Sequence, residues 1–153
     1  MKPDKFNIRV YGILINDSKE LLLSDELIRG HAITKLPGGG LEFGEGTLEC
    51  LKREFREETG NEIFVTDHFY TTDFFQPSAF NLSHQIISIY YLVKSEGEFS
   101  IHAKTKPFDF DENLKDAQSF RWKNITEISE DDFTLPIDKI IGRMLKEKFQ
   151  KRN

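Results

Sequence analysis

The stretch from Pro37 to Gly60 constrains this chain more than any other. Pro37-Gly38-Gly39-Gly40-Leu41-Glu42-Phe43-Gly44-Glu45 runs on to Arg53-Glu54-Phe55-Arg56-Glu57-Glu58-Thr59-Gly60. A proline followed by three glycines stops regular structure and permits positive φ. In the helix that follows, Thr47 is the expected N-cap, Glu49 sits in the first turn and Gly60 is the stop. Leu48, Leu51 and Phe55 recur at i, i+3 and i+7 as an apolar stripe. Glu54, Glu57 and Glu58 stand at i, i+3 and i+4, and so share one face about a quarter-turn from that stripe. Like charges this close cost roughly a few tenths of a kcal/mol per pair. A hard divalent cation with oxygen ligands would compensate them, which points to phosphate chemistry.

Composition narrows the setting. The 153 residues are expected to form a single domain, 1–153, with 38% hydrophobic and 31% charged residues, a balance typical of a globular chain. The net charge of −5 argues against a broad nucleic-acid or anionic-membrane surface. A single cysteine, Cys50, excludes an internal disulfide and a multi-cysteine zinc site, and reads as a small buried residue. The polar start Met1-Lys2-Pro3-Asp4-Lys5 gives no sign of a signal peptide. No apolar run approaches the ~18 residues that span a bilayer. A cytoplasmic location is expected, and a homodimer is left open.

Along the chain, Phe6 to Ile15 reads as a strand, Asn16-Asp17-Ser18-Lys19 as a turn, and Glu20 to Ser24 as the returning arm of a hairpin. Residues 25–36 look less regular and carry Arg29, His31 and Lys35. Residues 62–75 read as a strand with a bend, 76–83 as a loop, and His84 to Val93 as a central strand with a near-continuous apolar run. Lys94 to Asp116 forms a long acidic connection. Ser119 to Lys123 is a short strand. A last helix follows, capped by Thr134, with Pro136 near its start and Ile137, Ile140, Ile141, Met144, Leu145 and Phe149 at helical spacing. Lys146, Lys148, Lys151 and Arg152 complement its C-terminus. It reads as a packed terminal helix in preference to a membrane-surface one.

The spacing within the central stretch has a further meaning. Gly39 is followed after five residues by Glu45, after seven more by Arg53-Glu54, and then by Phe55, a spacer, Glu57-Glu58, a spacer and Gly60. This resembles the Nudix box, Gly-x5-Glu-x7-Arg-Glu-U-x-Glu-Glu-x-Gly-U, where U is a bulky apolar residue. The last U is Asn61 here, with Ile63 two residues on. The departure concerns packing after the helix rather than the acidic positions. The resemblance implies an α/β fold, the Nudix α/β/α sandwich with a mixed β-sheet.

It also implies roles. Glu54, Glu57 and Glu58 would hold Mg²⁺ or Mn²⁺, with the Gly38 carbonyl as a further ligand. Arg53 would pair with Glu45 and brace the loop against the helix. The reaction would be water attack on a diphosphate in a nucleoside diphosphate linked to another group, a small-molecule nucleotide substrate. The general base would lie in the box helix or on a later loop, where Glu112 is the first choice and Asp111 and Asp116 are the others. Pro77, sixteen residues past the box, resembles the ADP-ribose-hydrolysing branch, whereas the dinucleoside-polyphosphate branch tends to carry tyrosine near there. Arg29, His31 and Lys35 are candidates for phosphate contacts or for a solvated surface. Phe74, Phe75, Phe80 and Tyr90 are candidates for base stacking or for the core. A (d)NTP or dinucleoside polyphosphate substrate, or a non-catalytic nucleotide-sensing module, are the alternative readings.

Overall fold

A computed structural model describes residues 2–112 and 115–150. In chain order the elements are β1 (Lys5–Leu14), β2 (Glu20–Ile28), β3 (His31–Lys35), β4 (Gly38–Gly40), α1 (Thr47–Thr59), β5 (Ile63–Thr71), β6 (His84–Ser95), β7 (Ala103–Lys104), β8 (Gln118–Asn124) and α2 (Pro136–Phe149), with two short 3₁₀ turns before α2. The chain divides into two compact units, Met1–Ile13 with Pro37–Ser100 and Leu14–Leu36 with Ile101–Asn153.

The first unit holds a sheet of order β4-β1-β6-β5 and the helix α1. The apolar run of β6 makes it an inner strand, as its sequence predicts. β5 pairs with it antiparallel and absorbs two register shifts, at Val65/Asp67 and His68/Tyr70, where the sequence suggests a bend. The glycines do not merely interrupt structure. Gly38–Gly40 form an antiparallel edge strand, with Arg9 opposite Gly40, Val10 opposite Gly39 and Tyr11 opposite Gly38. Position 38 takes no side chain, because a Cβ on Gly38 would lie 2.1 Å from the Val10 carbonyl oxygen.

Helix α1 departs from expectation in two places. Its N-cap is Gly46 rather than Thr47, and Glu49 Oε1 accepts from the Gly46 N–H at 3.1 Å. Thr47 instead shares a 2.7 Å hydrogen bond with the Tyr91 hydroxyl, tying the first helical turn to β6. Leu48 is 46% exposed, and the buried face is Cys50, Leu51 and Phe55. At about 100° per residue this arc is turned toward Glu54 and Glu58. Glu54 and Glu58 therefore fall within the buried arc, and Glu57 stands at its edge. Beyond the helix, Gly60 takes the left-handed conformation and its N–H closes on Arg56 O, as predicted. Asn61 replaces the usual apolar contact with hydrogen bonds: its side chain donates to Ser100 O at 2.7 Å and accepts from Ser100 N at 3.1 Å. Ile63 supplies the buried side chain two residues later.

The second unit holds a sheet of order β3-β2-β8-β7. β2 is antiparallel to both β3 and β8, while β7 runs parallel to β8, so the sheet is mixed. The turn after β1 forms, with Asn16 N–H bonded to Glu20 O at 2.9 Å. The expected β1–β2 hairpin does not: beyond the single Ile15–Leu21 bridge, β2 continues to Ile28 in a different sheet from β1. The region read as irregular instead forms a β2–β3 hairpin, turned at Arg29-Gly30 with φ of 49° and 80°. Helix α2 buries Ile137, Ile141 and Leu145. It starts at Pro136 after Leu135, whereas Thr134 uses its hydroxyl to accept from Thr34 N at 2.9 Å. Lys151 and Arg152 lie outside the described residues. Among the described residues no helix is long and apolar enough to cross a membrane.

Candidate active site

The site grows from the contact between β4 and α1 in the first unit. On β4, Gly39 faces the helix, and a Cβ there would meet the Glu54 carboxylate at 2.5 Å. The absence of a side chain is what lets a charged group lie against strand backbone. Glu54 is consequently 15% exposed, Glu58 is half-buried, and Glu57, at 59%, reaches solvent.

Arg53 organises these acids. Its Nε and Nη2 donate to the two Glu45 oxygens at 2.9 and 2.7 Å, a bidentate clamp, and Nη2 also donates to Gly40 O at 3.1 Å. Its Nη1 draws in Glu54 at 2.8 Å and Glu57 at 3.1 Å, with Glu42 at 3.8 Å. One cationic nitrogen thus gathers two of the three acids the sequence singled out, and the expected Arg53–Glu45 pair is present. The Arg53 hydrogen bonds, with the Glu42 N–H, hold the Glu45 carboxyl down to about 2, and Glu45 in turn raises the guanidinium further. Cys50 is fully buried beside this clamp, and burial with the nearby Glu45 pushes its thiol up to about 12. Among the described residues no three carboxylate, imidazole or thiolate groups converge on one point as a ready metal set. The donors present are hard carboxylate oxygens beside a strand with no side chains, and that chemistry suits a hard divalent cation.

A model of the Nudix domain matches residues 5–143, through both units. The chain belongs to the Nudix family. Its fold is shared with the MutT protein of Methanosarcina mazei Go1 (22% identity, 98% of each chain covered, TM-score 0.66). It is similarly shared with a Nudix hydrolase of Nitrosomonas europaea (22% identity, 92% of this chain and 88% of that one, TM-score 0.64). A UDP-X diphosphatase also superposes (15% identity, 98% of this chain and 67% of that one, TM-score 0.61). This is the Nudix fold of the α/β class, and the chain is a Nudix pyrophosphohydrolase. Nudix hydrolases act on small molecules and generally use divalent metals.

The other Nudix candidates fall in varied settings. In the first unit Phe75 is 60% and Phe74 41% exposed on the loop after β5, so neither is core. Tyr90 is core, fully buried and stacked on Tyr11 at 5.2 Å. Pro77 is exposed and bridges to Gln85. In the second unit Arg29 and His31 lie exposed at the tip of the β2–β3 hairpin. Lys35 is not a solvated cation: its side chain is 3% exposed and its ammonium lies 2.8 Å from Glu26 Oε2. Glu112 and Asp116 are exposed, whereas Asp111 is held by Lys104, which lowers its carboxyl, with His102 at 3.9 Å.

Two groups escaped the sequence reading. Glu42 caps Glu45 through its N–H at 3.0 Å and joins the Arg53 cluster. Asp25 and Glu26 lie within β2, beyond Ser24 where the sequence ends the strand. Their cross-strand partners satisfy them, so β2 continues. A polar run flanked by Leu21-Leu22-Leu23 and Leu27-Ile28 was the available signal.

Proposed function

We propose that this enzyme hydrolyses the diphosphate bond of a nucleoside diphosphate linked to another group, of the ADP-ribose or nucleotide-sugar type, in the cytoplasm. The observation that carries the reading is the gathering of Glu54 and Glu57 on Arg53 Nη1 beside the bare Gly38–Gly40 edge. Pro77 and the UDP-X diphosphatase among the similar structures favour a diphosphate-linked substrate. Both units then serve one domain, 1–153.

Glu54, Glu57 and Glu58, with the Gly38 carbonyl, would hold Mg²⁺ or Mn²⁺. Such a cation neutralises phosphate charge and acidifies a bound water. Arg53 and Glu45 keep the β4–α1 loop in register so that Glu54 is presented in one orientation. Glu112 takes the proton from the attacking water, a role its exposure allows. Phe75 and Pro77 contact the group beyond the diphosphate, and Arg29 and His31 reach toward its phosphates, whereas Lys35 is spent on Glu26.

Glu57→Gln and Glu58→Gln should each abolish turnover while leaving the melting transition in place. The measurement is chromatographic product analysis over ADP-ribose, nucleotide sugars, dinucleoside polyphosphates and dNTPs, with and without Mg²⁺. Full activity in both variants would sink the proposal. Nucleoside monophosphate with pyrophosphate, from dNTPs alone, would replace the substrate class.

A further inference from the structure

A guanidinium carries five N–H groups, and in Arg53 each of them meets an oxygen. Nε donates to Glu45 Oε2 at 2.9 Å, and Nη2 donates to Glu45 Oε1 at 2.7 Å and to Gly40 O at 3.1 Å. The two N–H groups of Nη1 go to Glu54 Oε1 at 2.8 Å and Glu57 Oε2 at 3.1 Å. Glu42 is a further carboxylate beside the same nitrogen. Its Oε1 stands 3.8 Å from Nη1, beyond hydrogen-bond distance, and its side chain is 69% exposed.

The Glu42 backbone is nonetheless fixed against Glu45. Its N–H donates to Glu45 Oε1 at 3.0 Å, and its carbonyl accepts from the Glu45 N–H at 3.4 Å across the turn at Phe43-Gly44. Gly44 closes that turn with φ of 91°, a conformation open to glycine. Rotation of the Glu42 side chain alone can therefore bring its carboxylate onto Nη1. All of these residues belong to the first unit.

Glu54 and Glu57 cannot serve Nη1 and a divalent cation equally well with the same oxygens. A carboxylate that ligates a divalent ion is a poorer acceptor for a guanidinium, because the ion draws its charge and repels the neighbouring cation. Nη1 then lacks negative charge on one side of Arg53, while Glu45 still holds the other. We propose that Glu42 is a positioning residue that takes over Arg53 Nη1 when a divalent cation engages Glu54 and Glu57. The exchange keeps the guanidinium paired and tightens the Glu42–Glu45 turn as the site loads. The inference rests on the cation site proposed above and names the residue that replaces the acids drawn to it.

The probe is Mg²⁺ alone, titrated calorimetrically into the full chain, with hydrogen exchange of residues 41–46 followed in its presence and absence. Without cation, Glu42→Gln should melt with the native protein, because Nη1 already has its acceptors. Its Mg²⁺ affinity should be about two- to fivefold weaker, the scale of an exposed ion pair. Amides of residues 41–46 should exchange more slowly with Mg²⁺ in the native protein and gain no protection in Glu42→Gln. Glu98→Gln, which removes an exposed charge after β6, should bind Mg²⁺ as the native protein does. Native Mg²⁺ affinity in Glu42→Gln, equal weakening in Glu98→Gln, or a lower cation-free melting transition in Glu42→Gln overturns the proposal and leaves the cation site standing. So does added protection that is missing from the native protein or persists in Glu42→Gln. No Mg²⁺ binding by the native protein removes both the exchange and the cation site.

Discussion

The Glu54 carboxylate lies where a side chain on Gly39 would have to be: a Cβ at that position would stand 2.5 Å from it. Strand β4 and helix α1 meet at this distance only because residue 39 carries none.

Gly39→Ala should therefore displace Glu54 while sparing the rest of the helix. A shift of about 1 Å in a reacting group costs on the order of a hundredfold in rate. We expect kcat/KM to fall by about that factor with the protein still folded. Steady-state kinetics beside circular dichroism melting tests it, and unchanged kinetics would show that Glu54 needs no fixed place.

The Glu45–Arg53 clamp has a defined pH dependence. Its folded-state carboxyl is lowered from 4.5 to about 2, chiefly by the Arg53 hydrogen bonds. A depressed carboxyl stabilises the fold above its unfolded value and loses that contribution as pH falls through the folded value. Glu45→Gln should melt below the native protein at neutral pH, and the gap should close between pH 4.5 and about 2. A gap that is constant with pH would mean that the charge on Glu45 is not what the loop depends on.

Cys50 should be inert in the folded protein. Its side chain is fully buried and its thiol is pushed up to about 12, so almost no thiolate exists at neutral pH. A chromogenic disulfide reagent should react with one thiol per chain only after denaturant is added. Rapid labelling of the native protein would contradict the packing of α1.

The Asp25–Arg121 pair is a matter of stability. Asp25 is fully buried, and removing it leaves Arg121, whose side chain is 11% exposed, without its counter-charge. Asp25→Ala should cost about 3–5 kcal/mol, measurable as a lower urea midpoint with an unchanged slope. A loss under about 1 kcal/mol would place the pair among those worth little to stability.

Local signals carried much of the fold. An imperfect alternation marked β1, a near-continuous apolar run marked β6, and helical spacing marked α1 and α2. What failed were decisions that depend on partners distant in sequence. Thr47 and Thr134 look like caps, yet each spends its hydroxyl on another segment, Tyr91 in one case and Thr34 in the other. Leu48 looks like core until the buried arc is seen to turn toward Cys50. The glycine run looks like a break until β1 supplies a strand for it to pair with.

By itself the sequence determined the chemistry class: the spacing from Gly39 through Glu45 and Arg53 to Glu58 identified the family, because spacing along a helix fixes which side chains share a face. It also exposed the Arg53–Glu45 pair. Only the tertiary structure decided that Arg53 gathers Glu54 and Glu57, that Lys35 is buried on Glu26, and that Asp25 is buried on Arg121. The last two depend on strand register, and a carboxylate becomes a closed ion pair or stays exposed according to what the neighbouring strands place opposite it.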